Sequence, residues 1–421
     1  MVYVLNNNGQ PLMSTERHGK VRCLLKDGKA KVVKRCPFTI QLLYSSTNHT
    51  QPITLGVDAG SKHIGLSATT ETKELYASDI KLRDDITNLL STRRENRKAR
   101  RNRKTRYRKP RFNNRVRSKH KGWLAPSVEH KINTHITVID KITKILPISE
   151  IRVEVASFDV QKIKNPNITV TQYQQGEQLN FRNVREYVLF RDGHTCQYCR
   201  GKSKDKVLNV HHIESRKTGG NASNNLITLC ETCHKGYHKG IIQLPKNIKR
   251  GMSFKGASFM GIMRWTLCNR LKEIYPNVNI TFGYITKNTR IAHNLPKDHY
   301  IDARCISGNP LAKPLGSVFY QKKVRCHNRQ IHKSNTSKCG YRKRNQAEYK
   351  IKGFRLYDKV LYQGKEYFIF GRRTSGFFDI RTLSGAKVDN GSISYKLLKL
   401  LEPRKGYLTE RRLTAPPTAF R

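Results

Sequence analysis

The chain has 421 residues, with 82 Lys and Arg against 30 Asp and Glu, and a formal net charge of +52. A surplus of this size exceeds what solubility needs and implies a polyanionic partner, nucleic acid first and an anionic membrane second. No run approaches 18 apolar residues and the first residues lack the features of a signal peptide, so the sequence predicts a cytoplasmic protein that does not span a membrane.

The length allows two to four domains, and residues 1–52 predict a small basic module. We expect a strand over 2–5, a helix over 20–26 and a second strand over 31–33. The stretch from Ile53 to Leu66 then predicts a hairpin whose first strand ends in Asp58. Glycine in the turn that follows Asp58 favours close approach of the backbone to a ligand. Asp58 gains meaning only if further carboxylates join it, because aspartate is also an ordinary turn residue.

Residues 93–121 carry the strongest bias in composition. Eleven of the 17 residues from Arg93 to Lys109 are basic, Glu95 is the only acid among them, and helix formers dominate until Pro110. A helix with cations all round is stable when phosphates neutralise it, and arginine favours bidentate contact with phosphate. The sequence therefore predicts a nucleic-acid-binding helix with the candidate contacts Arg93, Arg94, Arg97, Arg100, Arg101, Arg103, Arg106 and Arg108.

Residues 131–159 predict a helix followed by a strand. Isoleucines at 132, 136, 139, 142 and 145 form a stripe with the spacing of a core-facing helix. The β-branched run from Glu150 to Asp159 carries Glu154 in its middle, an unusual place for a carboxylate unless it binds a cation. Residues 160–180 are rich in Asn, Gln and Thr, which is typical of a linker into an inserted domain.

The inserted stretch holds two C-x-x-C pairs about 30 residues apart: Cys196, Cys199, Cys230 and Cys233. In a cytoplasmic protein this spacing predicts a closed, structural zinc site with four thiolate ligands. The stretch also contains the strand pair His211 and His212, the loop residue Asn225, and His234 and His238 one helical turn apart. The thiols already supply four ligands, so the ordered histidines favour a ββα-metal nuclease of the HNH pattern over a zinc ribbon without chemistry.

The expected chemistry of the histidine pair follows from strand geometry. Neighbouring side chains on a strand point to opposite faces, so one imidazole can take a proton from water while the other binds a metal. The asparagine fixes the orientation of the base, and the metal stabilises the phosphorane and the leaving oxygen.

A third carboxylate segment lies near residue 300, after a strand predicted over 278–285. Pro296 precedes a predicted helix on which His299 and Asp302 share one face. Together with Asp58 and Glu154 they form a hard, oxygen-rich set of the kind that holds two Mg²⁺ or Mn²⁺ ions for phosphodiester hydrolysis. Residues 322–352 are again basic, and the short strands beyond Gly353 predict a small SH3-like barrel.

With these motifs in this order, the chain resembles the IscB family of transposon-encoded RNA-guided DNA nucleases, compact relatives of the type II CRISPR effectors. Gly9-Gln10-Pro11-Leu12-Met13 is similar to the family's PLMP module, with Ser14 in place of the second proline, and Ala59 replaces the proline common after the first aspartate. The resemblance places His212 on the HNH base, Asn225 on its orienting residue, and His211 and His238, with His234 as a further candidate, on the catalytic metal ligands.

The resemblance implies an α/β multidomain protein. Its RNase H-like (RuvC) mixed sheet is split in three segments, with an inserted ββα-metal HNH domain, an Arg-rich bridge helix and a C-terminal small β-barrel. The implied domains are a PLMP-like module (1–52), RuvC-like segments I, II and III (53–82, 123–170, 246–315), the bridge helix (83–122), the HNH domain (171–245), a basic RNA-interacting segment (316–352) and the barrel (353–421), which reads a target-adjacent motif (TAM).

The family also implies the partners: a long guide (omega) RNA and double-stranded target DNA, bound by a monomeric protein in a ribonucleoprotein. HNH cuts the guide-paired strand and the RuvC-like site cuts the displaced strand, each with Mg²⁺ or Mn²⁺. Only 96 residues separate Asp58 from Glu154, so we expect RNA structure to replace a large helical lobe. The alternative is an unguided homing or junction-resolving endonuclease. A non-catalytic RNA-binding or transposon-regulating protein with decayed sites is disfavoured, because the candidate catalytic residues are intact.

Overall fold

A computed structural model describes residues 1–102, 122–155, 181–214, 223–244, 255–325 and 348–414. The strands are β1 Tyr3–Leu5, β2 Ala30–Lys34, β3 Thr39–Leu42, β4 Thr54–Ala59, β5 His63–Thr69, β6 Glu74–Lys81, β7 Glu150–Val155, β8 Leu208–His212, β9 Leu226–Cys230, β10 Val278–Phe282, β11 Ser317–Lys323, β12 Lys359–Tyr362, β13 Lys365–Arg372, β14 Phe377–Arg381, β15 Ile393–Ser394, β16 Lys399–Glu402 and β17 Tyr407–Leu413. The helices are α1 His18–Lys26, α2 Ile86–Asn102, α3 Pro126–Thr143, α4 Val184–Arg191, α5 Glu231–His238, α6 Lys255–Ile274, α7 Gly283–Ala292 and α8 His299–Ile306.

The chain divides into two compact units, one of residues 1–156 with 262–421 and one of residues 157–261. The second unit contains the predicted insertion 171–245, whose finer boundaries stay predictions. No helix within the described ranges combines the length and the apolar character needed to cross a bilayer.

A seven-stranded mixed sheet in the order β10-β7-β4-β5-β6-β11-β17 forms the centre of the first unit. Strands β4, β5 and β6 are an antiparallel meander, β7 runs parallel to β4, and β10 runs parallel to β7. The mixed α/β architecture agrees with the predicted class. The predicted hairpin, the 131–145 helix and the Glu154 strand correspond to β4–β5, α3 and β7.

Helix α8 packs directly on this sheet because two strand positions are glycine. A Cβ at Gly56 would overlap the Ala303 carbonyl oxygen, and one at Gly65 would overlap that of His299. The group that approaches at Gly56 and Gly65 is the backbone of α8, which sets the helix carrying His299 and Asp302 against β4 and β5. Gly60 lies in the predicted turn after Asp58, and close approach of a ligand there stays a prediction.

Smaller sheets flank the central one. Strands β1, β3 and β2 form the N-terminal sheet, whose core includes Val4, Val21 and Ile40. Strands β15-β14-β13-β12-β16 form a curled antiparallel half-barrel around Val360, Ile369 and Phe378. The predicted barrel strands are therefore present within the described part of the chain.

Three strand assignments differ from the sequence predictions. The strand expected over 278–285 ends at Phe282, and α7 begins at Gly283, where the backbone passes the Glu154 side chain. Residues 317–323, expected within a basic RNA-binding segment, are a sheet strand because Val318 and Phe319 are buried. Strand β17, expected in the barrel, pairs with β11 in the central sheet.

Candidate active sites

Three histidines form a cluster in the second unit. His211 at the end of β8 and His234 and His238 on α5 place their ligand nitrogens within 4.8 Å of one another. The helix spacing of four residues puts His234 and His238 on one face, with ring centroids 4.6 Å apart. Both helix histidines therefore reach His211, and the structure brings together all three residues expected at the catalytic metal.

The electrostatics of this cluster suit a cation. His211 is buried, and no described residue hydrogen-bonds its Nε2 atom. Burial and the neighbouring histidines lower the pKa of His211 to about 4, and burial lowers the pKa of His234. Neutral imidazole is the form that binds metal, so these residues fit a divalent ion at neutral pH.

His212 and Asn225 lie beside the histidine cluster. His212 lines the same open pocket as His211, His234 and His238. Asn225 is buried in a short 3₁₀ turn; its Oδ1 accepts from the Glu214 N–H at 2.9 Å and its Nδ2 donates to the Glu214 carbonyl at 3.0 Å. These bonds hold the backbone that follows His212, so Asn225 positions the end of the strand that carries the candidate base.

The four predicted zinc ligands also come together in the second unit. The Sγ atoms of Cys196, Cys199, Cys230 and Cys233 lie within 4.8 Å of one another, and those of Cys199 and Cys230 are 3.7 Å apart. Zn–S bonds of about 2.3 Å in a tetrahedron require sulfur atoms about 3.8 Å apart. The hydrogen bond with Ser203 lowers the pKa of Cys199 to about 6, whereas burial raises the pKa values of Cys230 and Cys233, so the spacing of the sulfur atoms is the observation that points to metal. The cluster thus fits structural zinc.

The carboxylate set predicted from distant segments meets on the central sheet of the first unit. Asp58 is the penultimate residue of β4, Glu154 lies on β7, and α8 carries His299 and Asp302. His299 Nδ1 lies 2.7 Å from Asp58 Oδ2, and this hydrogen bond raises the pKa of His299. Burial and the nearby Asp58 charge raise the pKa values of Glu154 and Asp302. Burial and mutual repulsion therefore disfavour full ionisation of this carboxylate set.

Two arginines that the sequence analysis did not single out supply positive charge to this set. Arg264 on α6 is buried; its Nη2 lies 2.9 Å from Glu154 Oε1 and 3.9 Å from Asp58 Oδ1, and its Nε donates to the Ala59 carbonyl at 2.8 Å. Arg290 Nε on α7 lies 3.0 Å from Asp302 Oδ1, an ion pair without hydrogen-bond geometry. Arg264 precedes the buried Leu267 and Cys268 by three and four residues, so it lies on the apolar face of α6. An arginine at such a position is the sequence signal that could have identified it.

The carboxylate oxygens are less closely grouped for metal binding than the nitrogens of the histidine cluster. Within the ranges the structure describes, only the four-cysteine and three-histidine groups bring three or more donor atoms within 4.8 Å of one another. The oxygen donors of Asp58, Glu154 and Asp302 are of the type that Mg²⁺ prefers. In this structure the guanidinium groups of Arg264 and Arg290 neutralise part of their negative charge. The expected Mg²⁺ at this site stays a prediction.

A second histidine supports His299 from the neighbouring strand. The His63 ring on β5 stacks on the His299 ring, with centroids 5.0 Å apart and planes at 7°. His63 Nδ1 lies 2.8 Å from Asp79 Oδ1 on β6. The stacked ring limits the orientations open to His299, which is itself held by Asp58.

The arginine-rich helix is only partly described. Arg93, Arg94 and Arg97 lie on α2, where the first two are exposed, and Arg100 and Arg101 belong to the same helix. Arg103, Arg106 and Arg108 lie outside the described residues. A helix this rich in cations agrees with the predicted contact to a polyanion.

Comparison with known families confirms one part of the sequence interpretation. Residues 196–240 match the HNH endonuclease family model, and residues 2–176 match the model described as RRXRR protein. The chain therefore carries an HNH endonuclease domain, and its histidine cluster and four-cysteine group lie within that match. Both matches are compatible with the IscB resemblance, which at the level of that family stays a prediction. No curated protein matches the chain.

Solved structures of Cas9 from Streptococcus thermophilus are similar over part of the chain. The complex with the GGAA PAM has 13% identity and a TM-score of 0.33, covering 49% of this chain and 29% of the Cas9 chain. The complex with the AGAA PAM has 12% identity and a TM-score of 0.35, covering 58% and 32%. The chain thus spans about a third of the Cas9 length, and similarities this distant carry no functional argument.

Proposed function

Starting from a chain that carries an HNH endonuclease domain, we propose that the protein is an RNA-guided DNA endonuclease of a transposon-associated system. It binds a guide (omega) RNA as a monomer, pairs that RNA with target DNA beside a short motif, and cuts both strands. The observation that carries this proposal is the presence of two different candidate hydrolytic sites in two separate units of one strongly basic chain.

The HNH unit is assigned the guide-paired strand. His212 takes a proton from the attacking water, and Asn225 holds the strand end that carries His212. His211, His234 and His238 hold the catalytic metal, which when bound stabilises negative charge on the phosphate and the leaving oxygen. The four-cysteine group fixes the fold around them as a structural zinc site.

The central sheet is assigned the displaced strand. Its order supports an RNase H-like, RuvC-type reading, since a three-stranded antiparallel meander is extended on one side by two parallel strands. Asp58, Glu154 and Asp302 would hold Mg²⁺ or Mn²⁺, which when bound would supply Lewis-acid stabilisation of the phosphate. His299, held by Asp58 and stacked on His63, transfers a proton during hydrolysis of the phosphodiester. A metal at Glu154 would require the Arg264 side chain to break its ion pair with that carboxylate.

Guide RNA accounts for the charge and for the short span between Asp58 and Glu154. The exposed arginines of α2 bind its phosphates, and RNA structure replaces a helical recognition lobe. Base pairing then carries sequence specificity while the protein reads backbone shape. The half-barrel of β12 to β16 reads the target-adjacent motif.

Strand-specific cutting tests the two-site assignment. We expect Asp58→Ala to lose only the cut on the displaced strand and His212→Ala to lose only the cut on the guide-paired strand, each leaving a nickase. His18→Ala is a matched control, because His18 begins α1 in the N-terminal module and belongs to neither set of site residues. Strand-labelled plasmid products resolve the cuts. Loss of both cuts from either single change contradicts the assignment.

A further inference from the structure

A cation-lined pocket lies in the first unit, where the N-terminal module, the central sheet, α3 and the half-barrel meet. Its volume is about 160 Å³. The charged residues that line it are five cations and one carboxylate: Lys34, Lys141, Lys359, Arg404, Lys405 and Glu402. Neither nuclease site shares a residue with this pocket, so the proposed chemistry leaves its charge unexplained.

The aromatic ring of Tyr407 contacts two lysine ammonium groups. Lys141 Nζ on α3 lies 3.7 Å from the ring centroid, and Lys323 Nζ on β11 lies 4.2 Å from it. The Tyr407 hydroxyl is buried, and no described residue accepts or donates a hydrogen bond to it. A buried hydroxyl without a partner costs free energy, so this group is expected to bond a ligand atom.

The carboxylates near the pocket do not balance the lysines. Glu402 pairs with Lys405 at 2.7 Å, and Lys359 pairs with Glu366. No carboxylate within the described residues pairs with Lys34 or Lys141. Burial and the ammonium groups of Lys34, Lys323 and Lys405 lower the pKa of Lys141 to about 8. The charged form of Lys141 is therefore disfavoured in this pocket, and a bound anion would favour it.

We propose that this pocket binds a backbone phosphate of nucleic acid, with Lys34 and Lys141 as its cationic contacts and the Tyr407 hydroxyl as a hydrogen-bond donor. A chain ligand fits better than a free ion, because the pocket continues into a groove. Groove and pocket share Lys34, Glu402, Pro403 and Lys405, and the groove runs on past Val32 and Arg35 of the β2 edge. The bound phosphate joins three parts of the unit through one ligand.

This inference rests on the proposed function only in requiring that the chain binds nucleic acid. The test uses the full-length protein with labelled single-stranded RNA and labelled duplex DNA, titrated over a series of salt concentrations. The variants are Lys141→Met and Tyr407→Phe. The matched control is Lys144→Met, which removes one charge just beyond the end of the same helix, at an exposed residue that pairs with Asp140 at 2.8 Å.

We expect Lys141→Met to weaken binding about tenfold and to reduce the slope of log K against log salt by about 1. Tyr407→Phe weakens binding about threefold, in line with a lost hydrogen bond, and Lys144→Met stays within about twofold of the wild type. Loss with RNA alone assigns the site to the guide, and loss with DNA alone assigns it to the target. Lys141→Met and Lys144→Met behaving alike with both ligands would overturn the proposal.

Thermal unfolding without nucleic acid separates a binding role from a structural one. Because its neighbours disfavour the charged form of Lys141, we expect Lys141→Met to unfold at the same temperature as the wild type or higher. A lower unfolding temperature would show that Lys141 stabilises the fold and would overturn the proposal. Guide-directed cutting is measured separately, so unguided cutting would refute the proposed function while leaving the phosphate pocket standing.

Discussion

Removal of zinc is expected to unfold the HNH unit and to leave the other unit intact. A buried cluster in the HNH unit contains Cys196, Ile227, Leu229, Cys230 and Cys233. Three of its five residues are candidate zinc ligands. Burial of Ile227 and Leu229 contributes about 2–3 kcal/mol each, whereas a structural zinc site contributes about 10 kcal/mol or more to folding. A bound zinc would therefore stabilise this cluster more than its two apolar side chains do.

The assay combines metal analysis with limited proteolysis before and after a zinc chelator. We expect one zinc per chain, and cleavage within residues 181–244 once zinc is removed. The chain offers an internal control, since its two tryptophans, Trp123 and Trp265, both belong to the first unit. Their emission should not change. Zinc-free protein whose HNH unit resists protease as before would refute the reasoning, as would Cys230→Ser protein that keeps full zinc and full resistance.

Three further predictions concern single side chains. Arg264→Met leaves the buried Glu154 carboxylate without its ion pair and should lower the free energy of unfolding by about 3–5 kcal/mol in the absence of Mg²⁺. In urea denaturation, added Mg²⁺ should recover most of this loss. An equal loss with and without Mg²⁺ would contradict the prediction. Buried His135 has a pKa lowered to about 4 by burial, below its unfolded value near 6.5, so the unfolded chain binds the proton more readily and wild-type stability should fall by up to about 3 kcal/mol between pH 6.5 and 4. His135→Gln should lack this share of the pH dependence in urea denaturation, and identical curves would count against it. His211→Ala should lose Mn²⁺ binding at the HNH unit, followed by electron paramagnetic resonance, together with the cut on the guide-paired strand; retained metal at that unit would show that His234 and His238 suffice.

Local patterns predicted the elements whose signals are contained in short stretches. The isoleucine stripe of α3, the hairpin around Asp58 and the helix after Pro296 need only nearby residues, and the structure has all three. The cysteine and histidine spacings also led to groups that meet in space. Such features are predictable because their periodicity or ligand geometry is encoded along the chain.

Long-range pairing and the burial of single charges were not predictable in this way. Strand β17 follows the barrel in sequence, yet it joins the central sheet beside β11, and nothing in its own residues specifies that partner. Arg264 meets the carboxylates only because α6 lies over the ends of β4 and β7. The packing of α8 likewise requires glycine at positions 56 and 65, and no pattern in the sequence indicates that contact.

The central claim is that RNA directs the cutting. The measurement is to co-express the protein with its flanking transcript, purify it with Mg²⁺, and incubate it with two plasmids that differ only in the guide-matched sequence. We predict cutting of the matched plasmid alone, lost after RNase treatment and restored by added guide RNA. Equal cutting of both plasmids that survives RNase would contradict the claim and identify an unguided endonuclease.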